Sequence, residues 1–130
     1  MNAVLRKAGL IATIPVANLD RALAFYGDVL GFEHLSTSEA GALLQAGDGR
    51  ILLYHSSGAA PTHTLAGFEV ERLEPVINVL TTRGVAFEDY DFPTLRTVDH
   101  IAWIGPERAA WFRDSEGNIL SISEPWVAER

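Results

Sequence analysis

The chain contains no cysteine. Disulfides, thiolate metal ligands and cysteine nucleophiles are therefore excluded. Long apolar runs are also missing, and none approaches the roughly 18–20 residues of a membrane span. Arg6 and Lys7 make the first residues basic, but the apolar stretch 9–16 contains Pro15 and runs into a helix start without a cleavage pattern. Positive charge is scarce: 10 Lys and Arg stand against 17 Asp and Glu, for a formal net charge of −7. A basic face for nucleic acid is not expected, and the acidic balance suits solubility or a cationic ligand. These absences point to a soluble, cytoplasmic protein that binds neither membrane nor nucleic acid. What is present is 130 residues, 48% of them hydrophobic, which suits one domain, 1–130, with a real core.

The periodicity predicts an α+β chain built from two similar halves, about 8–57 and 63–125. The first begins with a strand over 10–16. Asn18 is placed as a helix N-cap with Asp20 in the first turn, and Leu19, Ala22, Leu23, Tyr26 and Leu30 follow at helical spacing. Gly31 stops that helix. Strands are expected over 32–37, 42–46 and 51–56, the last two joined by Gly47-Asp48-Gly49. Residues 57–62 read as a linker, and the order then restarts. A strand over 64–70 precedes a helix carrying Leu73, Val76, Ile77 and Leu80, which Gly84 ends. Strands over 85–90, 109–113 and 118–124 complete this half, with the turn Asp114-Ser115-Glu116-Gly117 between the last two. Residues 91–105 have no counterpart in the first half. They carry His100 and Trp103, and 98–104 reads as an extra strand. Insertions of this kind often cover a site.

Two motifs carry a resemblance. Ile14-Pro15-Val16-Ala17-Asn18-Leu19-Asp20-Arg21-Ala22-Leu23-Ala24-Phe25-Tyr26, with Leu30-Gly31-Phe32, resembles the opening of the vicinal oxygen chelate superfamily, which includes glyoxalase I, bleomycin-resistance proteins and extradiol dioxygenases. Ala110-Trp111-Phe112-Arg113-Asp114-Ser115-Glu116-Gly117-Asn118-Ile119-Leu120 is similar to its closing hairpin, with Ser115 and Glu116 in place of the usual Pro and Asp. The resemblance implies two βαβββ modules whose mixed sheets curl around a central cavity, and commonly a homodimer. In metal-dependent members it also implies four His, Glu or Gln ligands, from the first and last strand of each module.

Here those positions fall on Ile11, Leu65, Ser121 and Leu53, with Leu52 the alternative for the last. None suits a metal, so no cofactor is expected, although a divalent ion stays open through His55, Glu69, His100 or Glu124. Side chains alternate along a strand. That alternation puts Ile11, Thr13, Leu65, Gly67 and Glu69 on the cavity face, with Ile51, Leu53 and His55, and with Ser121 and Ser123. His55, Glu69 and His100 are the candidate acids and bases. Tyr90, Trp103, Trp111 and Phe112 could stack on a planar ligand. Four functions compete: a metal-free binding protein for a small, partly aromatic organic molecule; a metal-independent isomerase, epimerase or lyase; a metal-dependent lyase or dioxygenase with displaced ligands; and a domain acting by association.

Overall fold

A computed structural model describes residues 4–58 and 60–125. The outermost parts of the expected 1–130 domain, and Ala59 of the expected linker, lie outside the described residues. The chain divides into two compact units, Met1–Gly58 and Ala59–Arg130.

In the first unit, β1 (Ile11–Val16) leads to α1 (Leu19–Leu23), then β2 (Glu33–Ser38), β3 (Gly41–Ala46) and β4 (Gly49–His55). The Asn18 side chain accepts a hydrogen bond from the Arg21 N–H at 3.0 Å, as a cap should. The helix then widens over Ala24–Val29 into a π-helical segment, with the Leu30 N–H bonded to the Phe25 carbonyl at 2.9 Å. Gly31, at φ 87°, ends it. The strands form a four-stranded mixed sheet in the order β1-β4-β3-β2, with β1 parallel to β4 and the other pairs antiparallel.

Neighbours across a sheet share a face. Ile14 lies beside Leu53, and Ala42 beside the same residue. All three are fully buried, as are Leu44, Ala22 and Tyr26. The apolar set therefore lies on the helix-bearing face, and Ile11, Thr13, Leu52 and Tyr54 lie on the opposite, open face.

The second unit repeats this plan: β5 (Thr64–Glu69), α2 (Leu73–Thr82), then β6 (Asp91–Phe92), β7 (Leu95–Arg96), β8 (Ala102–Ile104), β9 (Glu107–Arg113) and β10 (Ile119–Ser123). The sheet order β5-β10-β9-β8 matches the first sheet position for position. Ala110, Phe112, Leu120 and Ile122 are buried on the helix side, beneath Leu73, Ile77 and Leu80 of α2.

The expected strand over 85–90 does not form. Phe87 makes a single bridge to Phe112, with the Glu88 N–H on the Trp111 carbonyl at 2.8 Å. The other end of the same β9 edge is taken by β8, where Ala102 pairs with Ala109. The fourth strand of this sheet is thus split in two by the insertion. The segment read as an extra strand, 98–104, supplies the missing edge only over Ala102–Ile104, while β6 and β7 form a separate small hairpin.

Candidate functional site

The open face of the second sheet gathers five of the expected site residues. In the β5–β10 register Ser121 lies beside Gly67, and Ser123 beside Glu69. Across β9, Ser121 pairs with Trp111. A Cβ on Gly67 would stand 2.6 Å from the Ser121 hydroxyl oxygen, so glycine is what lets that hydroxyl lie flat on the strand. Leu65 falls at the bulge of β5, where the register with β10 shifts. Trp111 is only 8% exposed. Tyr90, just before the insertion, and Leu95 within it pack against the apolar patch that Trp111 forms with Ala102, Ala109 and Ile119. The Tyr90 and Trp111 rings meet edge-on at 5.6 Å. Burial there raises the Tyr90 phenol pKa above its ordinary value, with a contribution from Glu88.

On the first sheet, Ile11 and Thr13 lie on the open face as expected, but Leu53 and His55 do not. Thr13 pairs with Leu52, whereas Leu53 pairs with buried Ile14 and His55 with buried Val16. The residue answering to Ser121 is therefore Leu52, and Leu53 belongs to the core. The cause is the hairpin: Ala46 pairs with Gly49, leaving only Gly47 and Asp48 in the loop. In the second unit the corresponding strands close between Arg113 and Ile119. Aligning the two hairpins on Gly49 and Gly117 shifts the register by one residue, and a one-residue shift exchanges the faces.

Three further assignments change place. Phe112 pairs with buried Leu120 and stacks edge-on with Phe87 at 5.4 Å, so it is core on the helix side. Trp103 pairs with Arg108, whose guanidinium sits 5.8 Å from its ring centroid, also on the helix side. His100 lies near Phe87, with their ring centroids 6.0 Å apart, and its Nδ1 is 3.0 Å from an Asp89 carboxylate oxygen. Glu69 and His100 are therefore on different faces of the second unit, and His55 belongs to the first.

Glu124, one of the alternative metal donors, is committed elsewhere. Its carboxylate accepts from Arg108 Nε at 2.8 Å and from the Leu73 N–H at 3.1 Å, so it caps α2 from the far end of the chain. Arg108 also donates to both oxygens of Glu74, at 2.7 and 2.9 Å. The Arg108 hydrogen bonds hold Glu74 down at about 2 from 4.5 and lower Glu124 as well, while the two carboxylates raise Arg108. Among the described residues no three His, Asp or Glu side chains come together as a group able to hold a metal ion. No helix among them is long and apolar enough to cross a membrane.

The sequence-derived set held Leu52 as the alternative to Leu53 and Tyr90 as a stacking candidate, and left out Tyr54 and Leu95. The parity of β1 carried across to β4 selects Leu52 and finds Tyr54. The place of Leu95 depends on how the insertion folds back, which no local pattern encodes.

Comparison with known proteins agrees with the architecture. A glyoxalase family protein from Enterococcus faecalis matches with a TM-score of 0.69 at 25% identity, over 91% of this chain and 98% of that one. A superfamily member from Sphaerobacter thermophilus matches at 0.69 and 23% identity, over 90% and 96%. TnmS3, an antibiotic binding protein from Streptomyces sp. CB03234, matches at 0.62 and 19%, over 92% and 97%. No curated protein matches the chain in sequence. The family profile covers residues 9–122, nearly the whole of the fold described above, and the chain belongs to the Glyoxalase/Bleomycin resistance protein/Dioxygenase superfamily.

Proposed function

We propose that the chain binds a small organic molecule with an aromatic part on the open face of its second sheet, without a resident metal ion. The observation that carries this reading is the chemistry at the four positions where metal-dependent relatives place ligands: Ile11, Leu52 and Leu65 are hydrocarbon, and Ser121 is a neutral hydroxyl lying against Gly67. Such a set does not fit a divalent cation, which needs imidazole or carboxylate donors. It does fit a ligand held by apolar contact and oriented by a few hydroxyls, here Ser121 and Ser123 on the second sheet. A relative of the same fold, TnmS3, is an antibiotic binding protein, which supports the class of ligand. The expected assembly is a homodimer, measured directly by light scattering after gel filtration.

The test is a thermal-shift screen of planar aromatic and cationic glycopeptide antibiotics, with and without chelator. A binder at about a hundredfold excess over its Kd stabilises by roughly 2.7 kcal/mol, a shift of several degrees. Ser121→Ala should weaken the same hit. A panel without shifts, or a shift that requires an added divalent ion, overturns the proposal. Mass spectrometry of the recovered hit separates binding from turnover.

A further inference from the structure

The second unit contains a cavity of about 660 Å³ on the helix side of its sheet, the side opposite Ser121 and Trp111. Glu74, Ile77 and Asn78 of α2 form one wall, and the 98–101 hairpin with Trp103 and Arg108 forms the other. Ile77 is buried and supplies an apolar floor, while Trp103 is 67% exposed. Arg108 lies over the Trp103 ring, and the rest of the indole surface is open.

The charges in this cavity are unevenly engaged. Arg108 is saturated by Glu74 and Glu124, and Arg96 pairs with Asp91 at 3.3 Å. Asp99 has no ion pair or hydrogen bond among the described residues, nor does the Asn78 side chain. The open electrostatic valence is thus negative. Asp99 is also held in an uncommon backbone state. Val98 and Ile101 bond each other at 2.9 and 3.1 Å, and both corner residues between them have positive φ, 52° at Asp99 and 73° at His100. Such corners favour Asn-Gly. Holding Asp and His there costs free energy, and local strain of this kind concentrates at binding sites.

We propose that this cavity is a second binding site, for a planar aromatic cation: the ring lies on the free indole surface of Trp103 and the charge sits beside the Asp99 carboxylate, with the Asn78 amide and Ile77 completing the contact. Aromatic stacking and a carboxylate are together the usual means of selecting such a cation over neutral or anionic isosteres. The site is independent of the open-face reading, and the two are separated by which tryptophan responds.

The experiment titrates isotope-labelled protein with N-methylquinolinium, neutral 2-methylquinoline and anionic quinoline-2-carboxylate, following the indole N–H signals of Trp103 and Trp111 and the backbone of 96–103 by NMR. The cation should shift Trp103 and Asp99 saturably while Trp111 stays fixed. The neutral probe should bind about fivefold more weakly, and the anion more weakly still. Asp99→Asn and Trp103→Ala, both at exposed positions, should each raise the Kd of the cation about fivefold. Absence of saturable shifts at millimolar cation, equal binding of the anion, an unchanged Kd in Asp99→Asn, or a response at Trp111 instead of Trp103 would each overturn the proposal.

Discussion

Gly41 begins β3 at φ 133°, and a Cβ there would stand 2.0 Å from the Leu53 carbonyl oxygen. No rotamer relieves a clash with backbone. Gly41→Ala should therefore cost about 3 kcal/mol or more, read as a fall in the urea midpoint at unchanged m-value. A loss under 1 kcal/mol would mean that the strand entry is softer than it looks. Glu74 supplies a pH signature. Its folded pKa, about 2, lies below the ordinary 4.5, so its ionic contribution is complete above pH 4.5 and disappears as pH falls toward 2. Wild type should melt above Glu74→Gln by a constant margin from pH 7 to pH 5, and the margin should shrink below that. A margin independent of pH down to 3 would refute the assignment. Residues of this kind divide sharply in how legible they are. The Asn18 cap and the Asp114 turn could be read directly, because each depends on neighbours a few positions away: Asp114 accepts the Glu116 and Asn118 N–H groups, both at 2.8 Å. The role of Glu124 could not, because its partners Leu73 and Arg108 are brought to it by the fold.

Elements show the same division. The helix α2 is readable from Leu73, Ile77 and Leu80, all buried as the spacing predicts. Its N-terminus is not, since Arg72 gives no side-chain cap and Glu124 takes that role. Glu124→Ala and Glu74→Ala both break contacts with Arg108, but only the first also uncaps the helix. Glu124→Ala should be the more destabilising by about 1 kcal/mol in denaturant titrations. Equal losses would show that the cap is energetically idle. The β4 parity and the split edge strand are element-scale errors with one origin. A hairpin loop of different length, or an insertion that interrupts a strand, leaves local propensity intact and changes only which face or which partner a residue meets. Val85 and Phe87 have the alternation of a strand and pack inward, yet no strand forms there, and Tyr90, out of that period, is carried over to Trp111.

For the whole molecule, the net charge of −7 sets a self-repulsion that salt should relieve. Raising sodium chloride from 50 to 300 mM should raise Tm by about 1–3 °C, despite weakening the Arg108 pairs. A fall would mean that those pairs outweigh the general repulsion. The absence of cysteine, the acidic balance, the duplicated order of elements and the superfamily membership were all present in the sequence. So was the apolar or hydroxylic character of the positions where relatives bind metal, because composition and period-two or period-3.6 patterns are local properties of the chain. The tertiary structure alone decided that Leu52 and not Leu53 answers to Ser121, that Trp111 and Phe112 face opposite ways, and that His100 and Trp103 line a cavity with α2 away from the open face. These facts depend on register across strands and on the path of the 91–105 insertion. Both are set by packing between residues far apart in the chain, where no sequence period reaches.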